Sequence, residues 1–249
     1  MTSISASDLS EDVFLGGRVR AFQPLKGYRA GIDAVLLAAA CPAKPGESVL
    51  ELGCGAGVAA LCLKARVTGA QVTGVERQPD YASLAARNGL DVIEADIAAL
   101  PPALRQRQFH HVIANPPYFN AGSGQVSPDE RRGFARHEAT PLAAWIHAAD
   151  KRLRPKGTLT LIHRAERLPD LLAAFGPSLG SIEILPLQAR KSRAPRLILL
   201  RAKKDGHRPF RLHAPLTLHE GADHGGDYPD YTPRIDAVLR GAQAISFPD

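Results

Sequence analysis

From residue 48 onward the chain alternates between short apolar runs and longer amphipathic ones. Residues 48–52, 71–76, 90–95, 109–114, 158–163, 182–187 and 196–202 have the length and aliphatic content of buried strands. Residues 57–66, 79–87, 141–153 and 165–175 carry helical spacing, and Pro79 suits the first turn of its helix. Residues 154–157, Arg-Pro-Lys-Gly, are expected to close the helix that precedes the fifth strand. Strands alternating with helices predict an α/β fold: a seven-stranded, mostly parallel sheet with helices on both faces.

The flanks read differently. Residues 1 to about 12 are polar and expected to fray. Residues 14–24 alternate around Gly16-Gly17, which predicts a hairpin, and 26–29 form a loop. Residues 32–40 are rich in Ala and Leu and predict a helix, stopped by Pro42 and Pro45-Gly46. Three parts follow: an N-terminal extension over 1–46, a core over 47–204 and a tail over 205–249 packed on the core. The tail should hold an edge strand near 212–218 and a short helix over 233–240. Residues 119–138 form a loop longer than packing requires, a length usually associated with function or disorder.

Two stretches carry chemistry. In Glu51-Leu-Gly-Cys-Gly-Ala-Gly57 the glycines stand as G-x-G-x-G, and position 58 is valine. Glycine lets a strand turn sharply into a helix and lets the backbone approach a ligand. The helix N-terminus offers free N–H groups. Glu51, just before the glycines, disfavours an anion and suits a ligand with a positive amino group. Glu76 ends the second strand, where a carboxylate accepts from both hydroxyls of a ribose. Asp96, after the third strand, suits an adenine amine.

Asn115-Pro-Pro-Tyr118 follows the fourth strand. An aromatic amine delocalises its lone pair into the ring. Acceptors on both N–H bonds favour pyramidalisation and aim the lone pair at an incoming methyl group. The Asn115 side-chain oxygen and the Pro116 carbonyl are the candidate acceptors. The prolines pre-set the backbone, and Tyr118 offers a face for stacking a base.

The pair GCGAG and NPPY resembles the class I S-adenosylmethionine-dependent methyltransferases, in the group that modifies planar nitrogens. Residues 14–40, Ala135-Arg-His-Glu138, Leu216-Thr-Leu-His219 and Tyr231-Thr-Pro233 resemble the bacterial valine-tRNA adenine N(6)-methyltransferases. The resemblance covers about residues 13–240. It implies a Rossmann-like fold, S-adenosylmethionine as cofactor and an adenine amine in tRNA as acceptor. It implies that Glu51, Gly53, Gly55 and Gly57 hold the methionine end of the cofactor, Glu76 its ribose and Asp96 its adenine. Tyr28 and Asp33, with Arg29, would close the pocket, Asn115 and Pro116 would orient the amine, and Pro117, Tyr118 and Phe119 would meet the base.

Bulk properties are compatible. The formal charge of +6 and pI of about 9.4 favour an anionic partner, nucleic acid first. Basic clusters at 131–136, 151–156 and 190–196 offer phosphate contacts, with Arg136, Arg190, Lys191 and Arg193 as candidates. Three sparse cysteines fit a reducing compartment, no run is long enough to span a membrane, and the N-terminus lacks a signal-peptide pattern. A cytoplasmic protein is expected, with no metal, and the oligomeric state is not readable. Residues alone leave other acceptors open, a guanine amine of ribosomal RNA or a protein glutamine amide, since a planar amide presents the same geometry. A nucleotide-dependent oxidoreductase is disfavoured by Val58 and the NPPY turn, and an inactive nucleotide-binding protein by the intact Asn115.

Overall fold

The computed structural model describes residues 6–118, 140–223 and 230–248. Strands β1 (Leu9–Phe14) and β2 (Val19–Pro24) form an antiparallel hairpin. Helix α1 (Ile32–Ala40) follows, buried from Ala34 to Ala40. Its small side chains let it pack closely between the sheet and α2 (Val58–Arg66).

The core alternates β3 (Ser48–Leu52), α2, β4 (Gln71–Glu76), α3 (Pro79–Arg87), β5 (Asp91–Glu94), a short α4 (Pro102–Arg105) and β6 (Phe109–Ala114). Then come α5 (Leu142–Arg152), β7 (Leu153–Arg164), α6 (Leu168–Ala174), β8 (Leu179–Gln188) and β9 (Leu197–Lys204). The tail adds β10 (Arg211–Leu212), β11 (Leu216–Thr217) and α7 (Pro233–Leu239).

The strands form one sheet in the order β10-β8-β9-β7-β6-β3-β4-β5, with β11 also on β8. All pairs are parallel except the two made by β9, which lies antiparallel between β7 and β8. The sheet has nine strands where seven were expected. The seven core strands are present, and the extra two come from the tail. There the single expected edge strand is split, because Pro215 between the halves has no N–H to donate to a ladder.

Other boundaries moved for physical reasons. β7 begins at Leu153, not 158, because Leu153 already pairs with Phe109 across a bulge. Residues 154–157 belong to the strand: Gly157 lies so close that a β-carbon would sit 2.9 Å from the Arg154 carbonyl oxygen and 3.0 Å from that of His110. The helix expected over 165–175 opens as a 3-10 turn, Ala165–Arg167. The hairpin starts at Leu9, inside the stretch expected to fray.

The flanking segments are tied to the core by polar clasps. Asn88 accepts from the Phe22 N–H at 2.8 Å and donates to the carbonyls of Phe22 and Ala56, both at 2.9 Å, joining the hairpin to the glycine turn. The tail inserts Ile235, Val238 and Ile245 into the cluster around α1 and α2. Arg201 donates to the Ala40 carbonyl from two nitrogens and to that of Ile245 at 3.2 Å. No helix of the described residues is long and apolar enough to cross a membrane.

Candidate active site

Strand order reverses at β3, flanked by β4 on one side and β6 on the other. In open α/β sheets the carboxyl ends of strands at such a point leave a crevice. Here the crevice is a cavity of about 710 Å³, within the usual range for small-molecule sites. Its walls come from residues 27–34, the ends of β3, β4 and β6, the start of α2, and Thr140, Trp145 and Arg164. Among the described residues, Tyr28, Asp33, Glu51, Gly53, Gly55, Glu76, Asp96, Asn115, Pro116, Pro117 and Tyr118 all reach it. Sequence positions 90 residues apart therefore converge on one volume.

Besides Asp33, three carboxylates line the wall. Glu51 is buried at the end of β3, and its Oε2 accepts the Ala60 N–H at 2.9 Å. Burial pushes its carboxyl up to about 8 against that hydrogen bond, and the nearby Glu76 charge adds to the rise. Glu76 accepts the Gly55 N–H at 2.9 Å on Oε2 and the Gln78 N–H at 2.8 Å on Oε1. Those donors fix the carboxylate plane, and each oxygen keeps acceptor capacity. Asp96 accepts the Ala98 N–H at 2.9 Å, capping a 3-10 turn, and lies 3.6 Å from Arg77.

The glycines turned out to have different reasons. Gly53 (φ +65°) has a β-carbon position 2.4 Å from the Trp145 ring, and Gly57 (φ +84°) one 3.0 Å from Leu90. Packing and left-handed backbone demand glycine at both. Gly57 faces Leu90 and Ala85 and does not reach the cavity wall. Gly55 does, and a β-carbon there would meet the Tyr28 ring at 3.7 Å.

On the same cavity wall, Asn115 donates from Nδ2 to the Tyr28 hydroxyl at 3.3 Å. Its Oδ1 is buried with no hydrogen-bond partner, although Asn115 lines the cavity. The Tyr118 hydroxyl donates to Asp33 Oδ2 at 2.5 Å. Burial, then the Asp33 charge, push both Tyr118 and Tyr28 far above the usual phenol range, so both keep their protons at neutral pH. The fully buried His163 meets the Tyr118 ring edge-on, centroids 5.4 Å apart, and Arg164 lies 5.7 Å from the ring centroid. Burial holds His163 down to about 4, so it is a neutral packing partner.

Some expectations are not met by this geometry. Arg190 is buried, ion-paired to Asp230 and bonded to the Glu220 carbonyl. Its guanidinium clamps the tail to the end of β8 and is not offered to an RNA phosphate. Lys191 and Arg193 are exposed, Arg193 at 3.3 Å from Asp223. They lie between β8 and β9 at the same end of the sheet as Asn115, three strands across, about 14 Å. In the cluster at 151–156, Arg152 caps the carboxyl end of α4, donating to the Leu104 carbonyl at 2.9 Å. Phe119 and Arg136 lie outside the described residues. Not foreseen were Tyr81, Thr140, Trp145 and Arg164 as wall residues. Trp145 is the only tryptophan, and its place against Gly53 had no signal in the spacing of its own helix.

Comparison with known proteins follows the same lines. Residues 49–129 match the methyltransferase domain family. A protein of Porphyromonas gingivalis (strain ATCC 33277) named tRNA1(Val) (adenine(37)-N6)-methyltransferase is 33% identical over 204 residues, 76% of this chain and 79% of its own. One of the same name from Tolumonas auensis is 30% identical over 181 residues, 69% of this chain and 75% of its own. Among solved structures, a predicted O-methyltransferase from Agrobacterium tumefaciens superposes with a TM-score of 0.70 at 29% identity, covering 86% of this chain and 98% of that one.

Proposed function

Since the chain belongs to the family of these tRNA1(Val) (adenine(37)-N6)-methyltransferases, we propose that it transfers the methyl group of S-adenosylmethionine to the exocyclic amine of an adenine in tRNA. The observation that carries this reading is the buried, unpartnered Oδ1 of Asn115, a residue that lines the same cavity as Glu51, Glu76 and Asp96. A buried acceptor without a donor is costly. An amine N–H of the substrate satisfies it.

The wall fits S-adenosylmethionine group by group. Glu51 suits the ammonium of the methionine end, Glu76 the ribose hydroxyls and Asp96 the adenine amine. Gly53 and Gly55 supply the turn that holds the methionine end close to Asn115. When bound, the cofactor supplies a methyl group on a positive sulfur. The chain's own residues do the rest. Asn115 Oδ1 and the Pro116 carbonyl accept the two N–H bonds of the amine. That arrangement holds the nitrogen lone pair toward the methyl group, a positioning contribution in the entropic sense. The adenine nitrogen gains the methyl carbon, the bond to sulfur breaks with its pair staying on sulfur, and the nitrogen releases one proton. Methylation makes that proton acidic, so no strong base is required.

Pro117, Tyr118 and Phe119 are the proposed contacts to a base rotated out of its stack. Lys191 and Arg193, exposed at the same end of the sheet, are proposed to meet phosphates, with Arg136 as a further candidate. The net charge of +6 supports an RNA partner, and with a tRNA substrate a cytoplasmic location is proposed. The extension before residue 47 and the tail after 204 are proposed to serve the core, the first as cover for the cofactor pocket. Incubation with tritiated S-adenosylmethionine and unmodified tRNA tests the reading, with N115A as control. Label should enter tRNA as N(6)-methyladenosine and depend on Asn115. Label in protein glutamine or ribosomal guanine, or none, would refute it.

A further inference from the structure

A second, smaller cavity lies near the start of β8 and the end of β9. Arg201, Lys203, Arg208 and Arg211 line it, with Glu183 as the one carboxylate. Its volume is about 200 Å³, below the roughly 300 Å³ at which small-molecule sites usually begin. It admits a phosphate group but not a whole nucleotide.

The charge there is poorly balanced. Glu183 lies 4.0 Å from Arg211 and 3.7 Å from His213. Arg201 donates to the carbonyls of Ala40 and Ile245, which are neutral. Lys203 and Arg208 are exposed, and neither forms an ion pair among the described residues. Like charges repel, so the fold must hold this group together. It does so through tight backbone contacts. Ser181 stands at φ +49° where the β8–β9 register shifts, and its Oγ accepts the Arg208 N–H at 2.9 Å. Gly180 and Gly206 touch so closely that a β-carbon on Gly180 would strike the Gly206 carbonyl oxygen. A serine in the left-handed region persists only where its surroundings enforce it. Arg211 stands between Phe210 and Leu212, which are 52% and 65% exposed and offer apolar surface beside the cations.

Placement points to a large ligand. Lys203 pairs with Thr158, three residues before Leu161, and Leu161 pairs with Ala114, next to Asn115. The cavity is therefore about 15–20 Å from Asn115, beyond the reach of the base that is methylated. Ser181 and Glu183 stand near the start of β8, and Lys191 and Arg193 follow its end. These two cationic positions are about 25 Å apart along one strand. A folded RNA bridges that span; a free nucleotide does not.

We propose that this cavity is a second anchor for the RNA: Lys203, Arg208 and Arg211 take one backbone phosphate of the substrate while the target base lies at Asn115. This rests on the reading of an RNA substrate. Arg201 adds its charge without leaving its carbonyl partners.

The test pairs binding with a footprint that needs no substitution. R208A/R211A should weaken tRNA binding about tenfold at about 0.1 M salt and flatten its salt dependence by about one phosphate contact. The loss should fall on KM for tRNA, with kcat changed less than about twofold and the melting temperature kept. R208K/R211K, which keeps the charge, should retain most of the affinity. K64A/R105A removes two cations elsewhere on the surface and should change neither affinity nor salt slope. In the wild type, acetylation of Lys203 read by mass spectrometry should slow at least about threefold when unmodified tRNA is added. Slowed acetylation without methyl transfer would overturn the acceptor assignment and leave the anchor standing. Methyl transfer to tRNA with Lys203 unshielded, an unchanged salt slope in R208A/R211A, or shielding by anionic phospholipid vesicles but not by tRNA would each overturn the anchor.

Discussion

Binding of S-adenosylmethionine at pH 7 should expel a proton from Glu51. In the ligand-free protein burial raises this carboxyl from its ordinary 4.5 to about 8, so about nine-tenths of molecules carry the proton at pH 7. A ligand ammonium beside it favours the ionised form and brings its pKa well below 7. Close to 0.9 proton should therefore leave per cofactor bound. Titration calorimetry in buffers of different ionisation enthalpy measures this directly as the slope of apparent against ionisation enthalpy. E51Q provides the baseline, including the small uptake by the cofactor's own amino group, whose ordinary pKa is about 7.7–8.0. Release should vanish near pH 9.5, where Glu51 is already ionised. The same shift sets a stability profile in the absence of ligand. A folded-state value above the unfolded one gives stability fully present below about 4.5 and lost as pH rises through about 8. The full loss is about 5 kcal/mol. E51Q should thus flatten the fall of melting temperature between pH 5 and 9. Equal proton release in wild type and E51Q would refute the placement of the ammonium, and an unchanged melting profile would refute the buried carboxyl.

Further outcomes follow from the geometry. N115A should lower kcat on tRNA by about 100-fold while leaving cofactor affinity by calorimetry within a few-fold. G53A should lose about 2–4 kcal/mol in denaturant melts, since its β-carbon meets Trp145 at 2.4 Å and φ is +65°. G46A, at φ +82° with nothing within 4 Å, should cost only about 1–2 kcal/mol. R190A should destabilise by about 1–3 kcal/mol because it removes the buried guanidinium that bridges Asp230 and the Glu220 carbonyl, while His219 still hydrogen-bonds Asp230, whereas R193A, an exposed pair, should cost less than about 1 kcal/mol. If Lys191 and Arg193 meet phosphate, K191A/R193A should flatten the salt dependence of tRNA binding by about two phosphate contacts, with melting temperature unchanged.

Much of this molecule was legible in one dimension because the relevant information is local. β3, β4 and β6 and helices α1 and α3 occur at their expected boundaries, since each is an apolar run or period bounded by Gly, Pro or charge. The convergence of Glu51, Glu76 and Asn115 on one cavity was readable because each lies at the end of a parallel strand, and parallel strands bring their carboxyl ends to one crevice. Tertiary structure decided the rest. It made Arg190 a buried clamp, although it stands in a basic run beside exposed Lys191 and Arg193, because its partner Asp230 is 40 residues away. It assigned Gly53 to Trp145 and Gly57 to Leu90, contacts that no spacing encodes. It also paired Asn115 with the Tyr28 hydroxyl and the Tyr118 hydroxyl with Asp33, across 87 and 85 residues of chain. Sequence specifies which side chains bear donors and acceptors; the direction of each bond depends on which partners the fold brings within 3.5 Å.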